Sequence, residues 1–274
     1  MDAVEAIVGR PDEKDAEDVR MTFGEHLEEL RWRLIKSVIA WTVCFVASIF
    51  LYEHLVRFIC EPHFRAMRWL GIAPEKSMLI HGGYAAGVFA VLKLAFITSI
   101  FAASPVILWQ LWAFVAAGLY RTERKYVLLY APPSFLLFIG GCVFGYLILV
   151  PMGLYGMASM LKFDIVAQQY IFRDYLDLVM TLTIVTGVVF ELPLVMMFVT
   201  SIGLAEPKHW WKWSRYAIVA IFFASAVLTP SPDVFTQVLM AGPLIILYFI
   251  GLGMSWFVAR KPESRITNDE SRPA

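Results

Sequence analysis

Two short charged clusters carry the side chains best suited to binding chemistry. Residues 26–31, His-Leu-Glu-Glu-Leu-Arg, stand immediately before a long apolar run, and residues 120–125, Tyr-Arg-Thr-Glu-Arg-Lys, close a later one. Each sets carboxylates beside basic residues. Carboxylates fixed at a membrane face accept charge-assisted, often bidentate hydrogen bonds from guanidiniums, so the pair of clusters suits a cationic peptide. Two roles are open to Glu29: that contact, or an i,i+4 ion pair with Arg33 worth roughly 0.3–0.5 kcal/mol. Two are open to Glu123 as well. It can complement a helix dipole behind Thr122 as N-cap, or, beside Arg124, face an incoming partner.

A third acid has a different setting. Glu191, in Gly187-Val188-Val189-Phe190-Glu191-Leu192-Pro193, lies well inside an apolar stretch. An ionised carboxylate there costs several kcal/mol unless it is hydrated or paired. Thr183 and Gly187 precede it by two turns and one turn on the same helical face, a stripe small enough to admit another helix. Glue within the bundle and contact with a partner both fit. Covalent, metal and nucleotide chemistry find no foothold. Cys44, Cys60 and Cys142 lack CxxC spacing, no HExxH pair occurs, and neither a P-loop nor a GxSxG elbow is present. The expectation is a protein that is not an enzyme and has no cofactor.

The elements that must position these residues are membrane helices. With 59% hydrophobic and 17% charged residues and a mean hydropathy of +0.66, the chain is too apolar for a soluble domain. Its 23 basic residues balance 23 acidic ones, and they scatter near span ends, so nucleic acid is not an expected partner. Six stretches approach the roughly 20 apolar residues that a helix needs to cross a bilayer. They run over about residues 34–53, 87–115, 127–150, 175–203, 213–229 and 235–258. The second is overlong and carries Pro105, so tilt or a kink is expected. The fifth holds only the apolar run Trp213 to Leu228, about 24 Å of helix.

Basic residues orient the bundle. Arg31, Arg33, Lys36, Arg121, Arg124, Lys125, Lys208, Lys212, Arg215, Arg260 and Lys261 fall on one face, which puts both termini in the cytoplasm. The resulting expectation is an all-α polytopic protein with three parts: an acidic disordered segment at 1–20, a six-helix domain at 21–258 and a disordered cytoplasmic tail at 259–274. The first segment lacks the basic start and apolar core of a cleavable signal peptide, so the first span is expected to serve as the anchor. Thr22 and Glu25 form a capping box that starts a helix with Phe23, Leu27, Leu30 and Leu34 on its apolar face. Lys93 is expected to snorkel to the interface. Pro62, Pro105, Pro151 and Pro243 should shape loops and kinks, and Asp233 should cap the last span with Gln237 one turn on.

Taken in order, five blocks resemble the TatC family, the multispanning receptor subunit of the twin-arginine protein translocase. They are HLEELRWRL at 26–34, SPVILWQLWAF at 104–114, GLYRTERK at 118–125, GVVFELP at 187–193 and TPSPDVFTQ at 229–237. The resemblance covers residues 21–258 and implies a receptor in the bacterial inner membrane for twin-arginine signal peptides of folded precursors. It further implies TatA-like and TatB-like single-span partners within homo- and hetero-oligomers surrounded by lipid, and export driven by the proton-motive force. On this resemblance Glu29, Arg31, Phe114, Glu123 and Arg124 form the signal-peptide surface. Glu191 faces the partner helices with Thr183 and Gly187, while Pro62, Asp233 and Gln237 belong to the outer loops. Three positions depart from the family pattern: Ala117 for a common Pro, Ser231 inserted in the Thr-Pro-Pro-Asp turn, and Phe249 in place of an acid. A secondary transporter with Glu191 as its proton-coupled site is the rival reading, although such proteins usually carry several polar groups along a pathway.

Overall fold

The computed structural model describes residues 23–119, 127–160, 169–228 and 234–259. Among them the chain is helical apart from two strands of two residues each. In order come α1 (Phe23–Phe50), α2 (Tyr52–Trp69), a single 3-10 turn (Pro74–Lys76), β1 (Leu79–Ile80), α3 (Tyr84–Ala117) and α4 (Ala131–Phe144). A π-helical turn (Gly145–Leu149) leads into α5 (Val150–Met160), then β2 (Tyr170–Ile171), α6 (Phe172–Phe190), α7 (Leu192–Ser201), α8 (Pro207–Leu228) and α9 (Val234–Val258).

Among the described residues five spans are long and apolar enough to cross a membrane: Gly24–Phe50, Ala85–Ala117, Ala131–Ser159, Phe172–Ser201 and Gln237–Val258. The protein is therefore all-α and polytopic. The stretch expected as a short fifth span is a 22-residue helix, α8, about 33 Å long. It begins six residues before the apolar run, and its first turns carry Lys208, Trp210, Trp211, Lys212 and Arg215, so it falls outside the apolar set. The acidic segment at 1–20 and the tail from 260 on lie outside the described residues.

The chain divides into two compact units, residues 1–188 and 189–274. In the first, α1 and α3 pack along a long seam. Trp41 sets its ring edge-on to Phe96 at 5.0 Å and stacks with Phe45 at 5.6 Å. Leu94, Ala95, Ser99 and Ala103 of α3 are buried. Pro105 leaves α3 a single helix of 34 residues. The Lys93 ammonium, expected to reach the interface, is ion-paired with the exposed Asp177 of α6.

The region between the first two spans, read from sequence as loop, folds into α2, the 3-10 turn and β1. Its helix is amphipathic. Cys60, His63, Ala66 and Met67 are buried, while Arg57, Glu61 and Arg68 stay exposed. α2 packs against α5 and α3, and the parallel pairing of Leu79 with Tyr170 and Ile80 with Ile171 ties β1 to β2. His63 is 1% exposed. Its Nε2 lies 2.8 Å from the Ser77 carbonyl and so carries the proton donated there. The rings of Phe64, Tyr170 and Tyr175 surround it at 5.1 to 5.5 Å. Burial also pushes the Cys60 thiol up to about 11. Gly71, at φ +71°, closes α2 in the left-handed conformation that lets Ile72 N–H reach the Met67 carbonyl at 3.0 Å.

Pro62 sits buried inside α2 and brings no N–H to the helix. The carbonyl four residues back, that of Phe58, accepts instead from the Tyr146 hydroxyl, and the next one, of Ile59, accepts from Tyr175. Tyr146 also stacks on the Phe58 ring at 4.7 Å.

In the second unit α7, α8 and α9 enclose Met196, Tyr248 and Leu252, with Trp210, Ala217 and Ile221 packed around them. Gly251 permits the close approach of α9 to α7: a Cβ there would stand 2.8 Å from the Pro193 Cα. Polar groups in this unit pair with one another. Trp210 Nε1 donates to Thr200 Oγ1 at 3.0 Å, and the Tyr248 hydroxyl donates to the Trp210 carbonyl at 2.6 Å.

Candidate functional site

The candidate signal-binding residues of α1 and α3 meet on one seam. α1 runs unbroken from Phe23, so Glu29 and the first membrane span belong to one rigid element. Glu29 is ion-paired with Arg33 one turn on, and the two side chains are 31% and 14% exposed. The local pairing open to Glu29 from sequence is therefore formed. Arg33 also directs Nη1 to Gln110 Oε1 of α3, a long contact of 3.5 Å. Its Nε is buried without an acceptor. One turn beyond Gln110, Phe114 stacks on His26 of α1, with ring centroids 4.5 Å apart.

Glu29 and Phe114 thus share a seam through two bridges, Arg33–Gln110 and His26–Phe114. Arg31 is exposed. Sequence reasoning missed His26 and Gln110. Spacing held a clue, since residues 26, 29 and 33 share one side of α1 and residues 110 and 114 one side of α3. Glu123 and Arg124 lie outside the described residues. The α3 terminus that leads to them is in view: Ala117 is buried, and a Cβ at Gly118 would stand 3.3 Å from His26 Cε1.

The span holding Glu191 was expected as one continuous helix, and the structure breaks it there. α6 ends at Phe190, Glu191 forms a turn, and α7 starts at Leu192 with Pro193 in its first turn. The cause is Pro193, which cannot donate to the carbonyl of residue 189. The Glu191 carbonyl accepts from Val195 N–H at 2.9 Å and so starts the ladder of α7. Glu191 is half-buried at the N-terminal end of that helix.

Thr183 and Gly187 admit a helix closely, as their stripe suggested, and it is the chain's own α4. A Cβ at Gly187 would meet Cys142 Sγ at 2.5 Å and the Phe138 ring at 3.0 Å. Thr183 is buried, with its Cα 3.2 Å from where a Gly145 Cβ would stand. Both residues are thus spent on internal packing. Gln237 donates through Nε2 to the Phe222 carbonyl at 3.0 Å, which fastens α9 to α8. Asp233 and Ser231 lie outside the described residues. Phe249 is 41% exposed on α9. Among the described residues no group of three His, Cys, Asp or Glu side chains could hold a metal ion.

The order of these elements has a counterpart among known proteins. A family model described as Sec-independent protein translocase protein (TatC) matches residues 25–243. The chain belongs to the TatC family. It is 34% identical to the TatC of Koribacter versatilis over 260 residues, covering 93% of this chain and 91% of that one. The Escherichia coli TatC is 33% identical over 240 residues, covering 88% and 90%. A crystal structure of the twin arginine translocase receptor TatC in DDM superposes with a TM-score of 0.73 at 31% identity, covering 84% of this chain and 99% of that one. With its TatC relatives it is a multi-pass protein of the bacterial inner membrane.

Proposed function

We propose that the chain is the core receptor of a twin-arginine translocase, binding the signal peptides of folded precursors at the α1–α3 seam. Family membership supports this reading, and one geometric observation carries it: Glu29 and Phe114 are held on a shared seam by rigid helices. A carboxylate so fixed can take a guanidinium without ordering itself first, which lowers the entropic cost of binding. Glu29 and Glu123 take the two arginines, while Arg31, Phe114 and Arg124 line the approach. The apolar part of the leader then enters the bilayer beside the bundle.

The full arrangement has six spans, α8 being the fifth, with both termini in the cytoplasm. α8 supplies the length, and its basic first turns match the cytoplasmic excess of Lys and Arg. TatA-like and TatB-like helices dock at Glu191, whose place at a helix break gives it polar reach within an apolar span. Pro62, Asp233 and Gln237 secure the opposite face. Binding and assembly are the work of the chain, and the proton-motive force drives export. Photocrosslinkers at exposed positions 28 and 32, which flank Glu29 without replacing it, test the site. Capture of a twin-arginine peptide but not of its Lys-Lys form supports the reading; equal capture of both defeats it.

A further inference from the structure

Glu29 is a receptor carboxylate that is already occupied. We propose that Arg33 acts as an internal stand-in for the leader's guanidinium, so that a signal peptide reaches Glu29 only by displacing it, and that Arg33 thereby sets the affinity of the receptor. The proposal rests on the reading of Glu29 as a signal contact.

The geometry around Arg33 is that of a group held by one good partner. A guanidinium has five N–H donors. Here one nitrogen pairs with Glu29, another makes the 3.5 Å contact to Gln110, and Nε is buried without an acceptor. At 3.5 Å the Gln110 contact is longer than a well-formed N–H···O bond of about 2.9–3.0 Å. Gln110 therefore has acceptor capacity to spare and stands where Arg33 would turn on release. The exchange replaces one arginine on Glu29 by another and moves the first towards an amide oxygen. No new chemistry is needed.

The cost has a definite form. An intramolecular competitor divides the apparent affinity of every ligand by the same factor, because each must first reach the open state. Arg33 thus leaves the preference for Arg-Arg over Lys-Lys unchanged. It lowers both affinities, so weak single-cation peptides occupy the receptor only at correspondingly higher concentration. For an i,i+4 pair that is partly exposed the factor is about two- to sixfold.

The test measures binding of a fluorescent twin-arginine peptide and its Lys-Lys form to the full chain, assembled with its partners in lipid nanodiscs. Four receptors are compared: wild type, Arg33→Gln, Glu29→Gln and the double variant. The expected result is about two- to sixfold tighter binding of both peptides to Arg33→Gln, with their ratio preserved, and no gain from Arg33→Gln in the Glu29→Gln background. Equal gain in that background would mean that Arg33 acts only as a general positive charge, and overturns the proposal. Unchanged or weaker binding by Arg33→Gln overturns it as well, the latter by making Arg33 a support for Glu29. If Glu29→Gln alone has no effect, it is the signal-site reading that fails. Should Arg33→Gln not assemble, Arg33→Lys carries the same test with a smaller gain, because an ammonium lacks the planar fork that matches a carboxylate.

Discussion

The Tyr146 hydroxyl donates to the carbonyl of Phe58, the group that Pro62 leaves without its helical donor. A proline inside α2 is thus matched by a tyrosine in the π-helical turn, far along the chain. Pro62 was expected to shape a loop; it instead creates an acceptor that fastens α2 to the π-helical turn.

This pairing predicts a double-mutant signature. Tyr146→Phe should cost about 1 kcal/mol, the usual net value of one hydrogen bond. In a Pro62→Ala background the restored backbone N–H satisfies the Phe58 carbonyl, and the same substitution should cost markedly less. Reversible unfolding in mixed micelles gives all four stabilities.

Lys93 and Asp177 make the same kind of long-range tie near the N-terminal ends of α3 and α6. Both side chains are exposed, so replacing either one alone should destabilise by no more than about 1 kcal/mol. The paired substitution Lys93→Met with Asp177→Leu should recover most of that loss. Thermal unfolding of the three variants in the same detergent checks it, and a double variant as poor as the worse single one would contradict the account.

His63 predicts an acid-sensitive α2 layer. Burial lowers its pKa from the ordinary value of 6.5, against the opposing pull of the Ser77 carbonyl. The folded ring therefore stays neutral where the unfolded one takes a proton. His63 leaves stability untouched well above pH 6.5 and subtracts from it as the pH falls below that value. The slope is at most about 1.4 kcal/mol per pH unit. Hydrogen exchange of α2 amides at about pH 7.5 and about pH 5.5, on either side of the ordinary histidine range, should show faster opening in acid, and His63→Gln should flatten the difference.

Much of this architecture is legible in the sequence because lipid imposes a simple pattern. Five apolar runs become the five long apolar spans among the described residues, while Thr22, the cap expected before α1, lies outside them. α2 escaped because its charges lower its hydropathy and Pro62 reads as a breaker. The spacing of Cys60, His63, Ala66 and Met67 was the available signal, a buried stripe of helical period. The break at Glu191 was written in Pro193, yet apolar continuity masked it. Ties such as Lys93–Asp177, Tyr146–Phe58 and Arg33–Gln110 join residues 77 to 88 positions apart. No local pattern encodes such pairs; they exist only once the helices have packed. At the candidate site the residue types were readable, while the occupation of Glu29 by Arg33 stayed one of two open choices.

The central claim is that fixed carboxylates on this receptor bind paired guanidiniums. Its most direct measure is the affinity of the reconstituted complex for a twin-arginine leader and for the Lys-Lys leader, before and after Glu29→Ala with Glu123→Ala. The account predicts a strong preference for the arginine form that collapses in the double variant while the fold and melting behaviour persist. Equal affinities in the wild type, or a preference that survives loss of both acids, would contradict it.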